Sequence, residues 1–98
     1  MLSNIHILRT LFRNARRVKE EYYAARNEVA RLETRREELR QKVASLAQND
    51  LLLGGDDTID KWDKSVRQLV EISALYEKAV LQKEKWRMIY KEMFSDAE

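Results

Sequence analysis

Apolar side chains recur at alternating steps of three and four through the first half of the chain. They are Leu8, Leu11, Ala15, Val18, Tyr22, Ala25, Val29, Leu32, Leu39, Val43 and Leu46, with Arg36 in the one polar slot. This is the a/d pattern of a heptad, the period of a helical seam and not of a strand. Nothing between Ser3 and Gln48 breaks it, which predicts a first helix over about 4–48. The pattern stops at Asn49-Asp50-Leu51-Leu52-Leu53-Gly54-Gly55-Asp56-Asp57, a turn over about 49–57. Paired glycines tolerate positive φ and suit a helix C-terminal cap followed by a reversal. Asp57 or Thr58 then offers an N-cap oxygen, with Asp60 and Asp63 placed where the helix dipole favours acid. A second seam begins at once: Ile59, Trp62, Val66, Leu69, Ser73, Tyr76, Val80, Lys83, Arg87, Tyr90 and Phe94, a helix over about 58–95. The fold class that follows is all-α, an antiparallel two-helix coiled-coil hairpin forming a single domain over 1–98.

A turn centred between Leu52 and Leu53 makes Leu46 face Ile59, Val43 face Trp62 and Leu39 face Val66. It also sets Val29 against Tyr76, Ala25 against Val80, Ala15 against Tyr90 and Leu11 against Phe94. Small faces large in several layers, as dense packing requires. The same register brings Lys19 to Glu84, Arg26 to Glu77 and Arg40 to Asp63, three opposite-sign pairs whose expected role is to specify register. The leucines at the tip, Leu51 to Leu53, are expected to fold over the Leu46/Ile59/Trp62 layer.

The second helix has a further apolar stripe beside its seam: Ile72, Leu75, Ala79, Trp86, Ile89 and Met93, interrupted by Gln82. One helix with two adjacent seams is built to touch at least two others, unless it rotates so that both stripes share the first helix. Ile5, Ile7 and Phe12 are expected to join this stripe at the open end of the hairpin. Monomeric soluble proteins rarely leave such a patch bare. Arg36, Ser73, Lys83 and Arg87 also interrupt the primary seam, so a lone hairpin buries little surface for its length. The expected partner-binding residues are Phe12, Ile72, Leu75, Ala79, Trp86, Ile89 and Met93. The expected partner is a second copy or another helical protein in an obligate complex, packed into a larger helical bundle.

Charge refines this picture. Of 98 residues, 37% are charged, and the formal net charge is only +2. That total hides a polarity, because residues 1–48 carry eleven basic and six acidic side chains and residues 49–98 carry eight and eleven. The hairpin gathers Arg9, Arg13, Arg16, Arg17, Lys19, Lys83, Lys85, Arg87 and Lys91 at its open end. Asp50, Asp56, Asp57, Asp60 and Asp63 collect at the turn, opposed mainly by Lys61. Solvation of the charged faces is the default account, and association of a basic end with an acidic end is the next. Nucleic-acid binding by the arginine-rich end is a weaker alternative, since no helix-turn-helix, zinc finger or base-stacking motif accompanies it.

Little chemistry is available for catalysis. The chain has no cysteine, no proline, one histidine and two glycines, both at the turn. No thiol nucleophile, disulfide framework or zinc–cysteine site is possible, and His6 has no second ligand in view. The aspartates at 56–63 lack the alternation, central glycine and closing glutamate of a calcium loop. No glycine-rich phosphate loop exists. The expectation is a protein that is not an enzyme, with no cofactor, metal, small-molecule substrate or membrane span. Met1 to Lys19, with five basic residues and no acid, reads like a mitochondrial presequence but keeps the heptad phase of the mature seam. A cytoplasmic location is expected, with mitochondrial import or secretion without a leader as alternatives.

In size and hairpin plan the chain is similar to the small secreted helical hairpins of type VII secretion. Their turn carries Trp-x-Gly, whereas this turn reads Leu51-Leu52-Leu53-Gly54-Gly55 and the nearest tryptophan is Trp62. It is also similar to type III secretion stalk and chaperone hairpins. Those likenesses imply a small helical secretion-system component. The pattern itself points to a coiled-coil assembly, adaptor or chaperone-like subunit working by helix–helix association.

Overall fold

A computed structural model describes residues 2–50 and 56–94, with side chains placed for 9–48 and 57–94. Helix α1 runs Leu2–Ser45, and its last turns widen into a π-helical segment, Leu46–Asp50. Helix α2 runs Asp56–Phe94 and packs antiparallel along α1. Both helices are unbroken because glycine is confined to positions 54 and 55 and proline is absent. Lys42 and Lys91 lie in the last turns of α1 and α2, where a cation complements the helix dipole. Gly54, Gly55, the Leu51–Leu53 tip, the side chains of Asp50 and Asp56, and those of Ile5, His6 and Ile7 lie outside the described residues.

The hairpin is a rod of 77 × 24 × 13 Å, measured over Cα atoms. Its radius of gyration is 21.7 Å, against about 13 Å for a compact chain of this length. It is one layer of two helices, and none of the described residues covers either broad face. The core is correspondingly thin. Val18, Val29, Leu32 and Leu39 are the buried apolar residues among those described, and all four belong to α1. On α2 only the small Ser65 is buried. Trp62, half-buried in the layer nearest the turn, has its indole Nε1 buried without a hydrogen-bond partner. Such an orphan donor costs about 1–3 kcal/mol.

Short side chains report which residues are level across the seam. Ala25 and Leu32 of α1 line one groove with Leu75 and Ala79 of α2. Long side chains meet partners further along. Tyr22 packs on Tyr90 with ring centroids 5.0 Å apart, and Tyr90 on Phe94 at 4.7 Å. The Arg36 guanidinium lies 4.0 Å from the Tyr76 ring centroid, giving the one polar seam residue of α1 an aromatic face. The cause is the tilt of every Cα–Cβ bond toward its own helix N-terminus. In an antiparallel pair the two sets of side chains lean in opposite directions along the rod. The expected layers are corrected accordingly: Tyr90 meets Tyr22 and not Ala15, and Tyr76 meets Arg36 and not Val29, each one heptad further along α1.

The same lean corrects the expected cross-seam ion pairs. Lys19–Glu84, Arg26–Glu77 and Arg40–Asp63 do not form. Glu84 instead pairs with Arg87 at 2.9 Å, Asp63 with Arg67 at 3.0 Å and Arg40 with Glu37 at 3.8 Å. Lys19 rests over Phe94 at 5.1 Å, and Arg26 lies 5.8 Å from the Tyr22 and Tyr23 rings. Among the described residues every ion pair joins two positions of one helix, three or four apart. Such neighbours are close enough to pair without bridging the seam.

Candidate functional site

The heptad phase of α2 explains which of its faces are left open. Its a/d residues lie against α1, and its outer edge carries Lys64, Glu71, Lys78, Lys85 and Glu92 in solvent. Between these lie two flanks on nearly opposite broad faces of the rod; one is apolar, and the other sets Val70, Ala74, Leu81 and Met88 among Asp63, Arg67, Glu77, Glu84 and Lys91.

The first flank holds Ile72, Leu75, Ala79, Trp86, Ile89 and Met93. Ile72, Ala79, Trp86 and Ile89 are half-buried, while Leu75 and Met93 are exposed. The groove along this side has an apolar floor of Ala25, Leu32, Leu75 and Ala79, edged by Glu28 and Lys78. Two alanines opposite each other leave a hollow there, of a size that admits a large side chain from another helix. Glu28 donates no proton to this edge. Its carboxyl sits below the usual carboxylate value because Arg31 hydrogen-bonds it, at 2.6 Å from Nη2 and 3.0 Å from Nε. At this edge the Glu28 carboxylate is balanced by Arg31 and faces Lys78 across the groove.

Phe12 is not part of this flank. Its heptad position puts it on the other broad face, 73% exposed, so its expected place beside Trp86 and Met93 is corrected by helical phase. That second face carries Val70, Leu81 and Met88 of α2 and Tyr23 of α1, all exposed, with Leu81 at 72%. Sequence reasoning passed over it although the signal was there. Ala74, Leu81 and Met88 repeat at one heptad spacing, but Asp60, Asp63, Arg67, Glu77, Glu84 and Lys91 on the same flank mask the repeat.

The basic residues do gather toward the open end. Arg9, Arg13, Arg16, Arg17, Lys19, Lys85 and Lys91 are exposed. Lys83 and Arg87 are half-buried, because they occupy seam positions and lay their stems along it. The patch is partly neutralised. Arg16 pairs with Glu20 at 3.0 Å and Arg87 with Glu84 at 2.9 Å, while Lys85 lies over the Trp86 ring at 5.1 Å.

Family models, curated proteins and solved structures give no match to this chain. The functional reading therefore rests on the surface itself. Among the described residues no three His, Cys, Asp or Glu side chains converge as metal ligands. None of the described helices is long and apolar enough to cross a membrane.

Proposed function

We propose that this protein is a non-enzymatic coiled-coil interaction subunit, acting in assembly, as an adaptor or as a chaperone-like component, through helix–helix association. The observation that carries this reading is the one-sided core. α2 is apolar along its seam and along the flank from Ile72 to Met93, yet among the described residues none of its large apolar side chains is buried. The chain exposes 8084 Å² in all, whereas a folded monomer of this mass exposes about 5,900 Å². The excess, roughly 2,200 Å², is more than one partner contributes to a standard interface, about 800 Å². An elongated outline accounts for some of it; among the described residues, six of the nine exposed large apolar side chains lie on α2. Docking of further helices along α2 would bury it.

Replacing Trp86 and Ile89 together by Glu tests the reading. Association should be lost, measured as the light-scattering mass of the purified chain and as recovery of partners from its native source. The helical circular-dichroism signal should stay within about a tenth of the wild type, because neither side chain is in the α1-side core. A wild-type chain that is a stable, folded monomer and recovers no partner sinks it. The nucleic-acid alternative gains nothing from the geometry, since cation–carboxylate pairs already occupy part of the basic end.

A further inference from the structure

The groove on the first flank runs further toward the turn than its apolar part. Glu28, Arg35 and Lys42 of α1 stand one heptad apart along it, and so do Ser65, Ile72 and Ala79 of α2. Three hollows follow one another between these rows. The first lies over Ala25, Leu32, Leu75 and Ala79, and the second beside Ile72 among Arg31, Arg35 and Glu38. The third lies by Leu46 and the buried Ser65. Alanine and serine keep the floor low, while longer side chains rise on both sides.

Charge along this groove is one-sided. Its walls carry Arg31, Arg35, Lys42, Lys61, Lys64 and Lys78 against two carboxylates, Glu28 and Glu38. Both carboxylates are engaged by arginines of their own helix, Glu28 by Arg31 at 2.6 Å and Glu38 by Arg35 at 3.3 Å. The four lysines make no ion pair among the described residues. Asp57 and Asp60 stand one turn before Lys61 and Lys64, yet neither pairs with them. Lys42, Lys61 and Lys64 surround the hollow nearest the turn, about 290 Å³ in volume. The turn end, expected to be acidic, is therefore basic on this face.

These features select among occupants. A second copy docked through the same face would set lysine against lysine. A nucleic acid would meet the lysines and leave the apolar floor of Leu32, Leu75 and Ala79 unused. A helix with one apolar stripe between acidic flanks uses both. Its stripe would pack into the furrow between α1 and α2, and its carboxylates would reach the lysines on either wall. From Lys61 to Gln82 the groove is roughly 32 Å long, the length of a helix of about six turns.

From these we infer that the groove takes an acidic amphipathic helix of another protein. Its apolar stripe lies on Leu32, Leu75 and Ala79, and its carboxylates concentrate opposite Lys42, Lys61 and Lys64. This rests on the helix-docking function proposed above and names the class of partner.

A synthetic peptide of about six turns tests it, with leucine at a and d and glutamate on both flanks, whose like charges keep it from pairing with itself. One control replaces each glutamate by lysine, and another keeps the glutamates and leucines in scrambled order. Binding to the full chain is followed by the fluorescence anisotropy of labelled peptide. The glutamate peptide should bind about tenfold or more tighter than either control. Lys42→Gln, Lys61→Gln and Lys64→Gln together should weaken it about tenfold. Leu75→Glu should do the same by setting a carboxylate against the peptide's own. All four positions are exposed, so the helical circular-dichroism signal of the chain should not change.

Scrambled peptide that binds equally well overturns the helix, since the lysines then attract any polyanion. A duplex oligonucleotide that outcompetes the peptide overturns it in favour of nucleic acid. A wild-type dimer that the triple lysine variant dissolves overturns it in favour of a second copy. A chain that recovers a partner through Trp86 and Ile89, but takes neither charged peptide in preference, keeps the docking function and loses the acidic helix. A folded monomer with no partner and no preference overturns both.

Discussion

At the scale of single residues, burial and chemistry have come apart on the two helices. Leu32 and Leu39 are each 2% exposed and hold the hairpin together. Leu81, at 72%, holds nothing within the chain. Leu32→Ala or Leu39→Ala should cost about 2–5 kcal/mol of unfolding free energy. Leu81→Ala should change the hairpin itself by less than about 0.5 kcal/mol. Urea unfolding followed by circular dichroism, at one low protein concentration, checks both. Similar losses at all three sites would mean that α2 is covered within the monomer. Arg36 illustrates why a polar seam position is tolerable. Its guanidinium stacks on Tyr76 at 4.0 Å instead of being stranded in an apolar layer.

Elements obey a rule that sequence spacing alone does not state. Heptad periodicity fixed which residues of each helix form the seam, but the cross-seam contacts Tyr22–Tyr90 and Arg36–Tyr76 fall one heptad from the layers that spacing predicts. Side-chain tips follow the direction of lean, which spacing arithmetic ignores. Arg40 and Asp63 are the measurable case, since each is bound to a neighbour on its own helix. A double-mutant cycle with Arg40→Ala and Asp63→Ala should be additive within about 0.5 kcal/mol. A coupling of 1 kcal/mol or more would show that the pair bridges the seam in solution. Charge therefore does little to hold α1 and α2 in register. That task falls to the aromatic cluster of Tyr22, Tyr90 and Phe94 and to the Arg36–Tyr76 contact.

Seen whole, the molecule is a plate about one helix thick, with an apolar strip on one side, apolar residues set among charges on the other, and a charged outer edge. Stability of such a plate is tied to what lies on it. Because association favours only the folded chain, the thermal midpoint should rise with the concentration of added acidic peptide. A midpoint constant over about a hundredfold range of that concentration, read by tryptophan fluorescence, would show a hairpin that stands alone. The candidate site was half legible before the fold was known. The flank from Ile72 to Met93 could be read from three-and-four spacing. The flank of Val70, Leu81 and Met88 became visible only when exposure showed that α1 covers neither. Phe12 lies near the open-end patch along the rod, but its helical phase puts it on the other face.

The sequence by itself determined two long helices, a single reversal at the glycines and a surplus of apolar surface on the second helix. These depend on periodicity and on the confinement of glycine to one place, which are properties of the chain read one residue after another. Only the tertiary structure decided which tips meet, which ions pair and how the surplus divides between two opposite faces. Those outcomes depend on the direction in which side chains leave two antiparallel helices, and that direction exists only once the helices lie side by side.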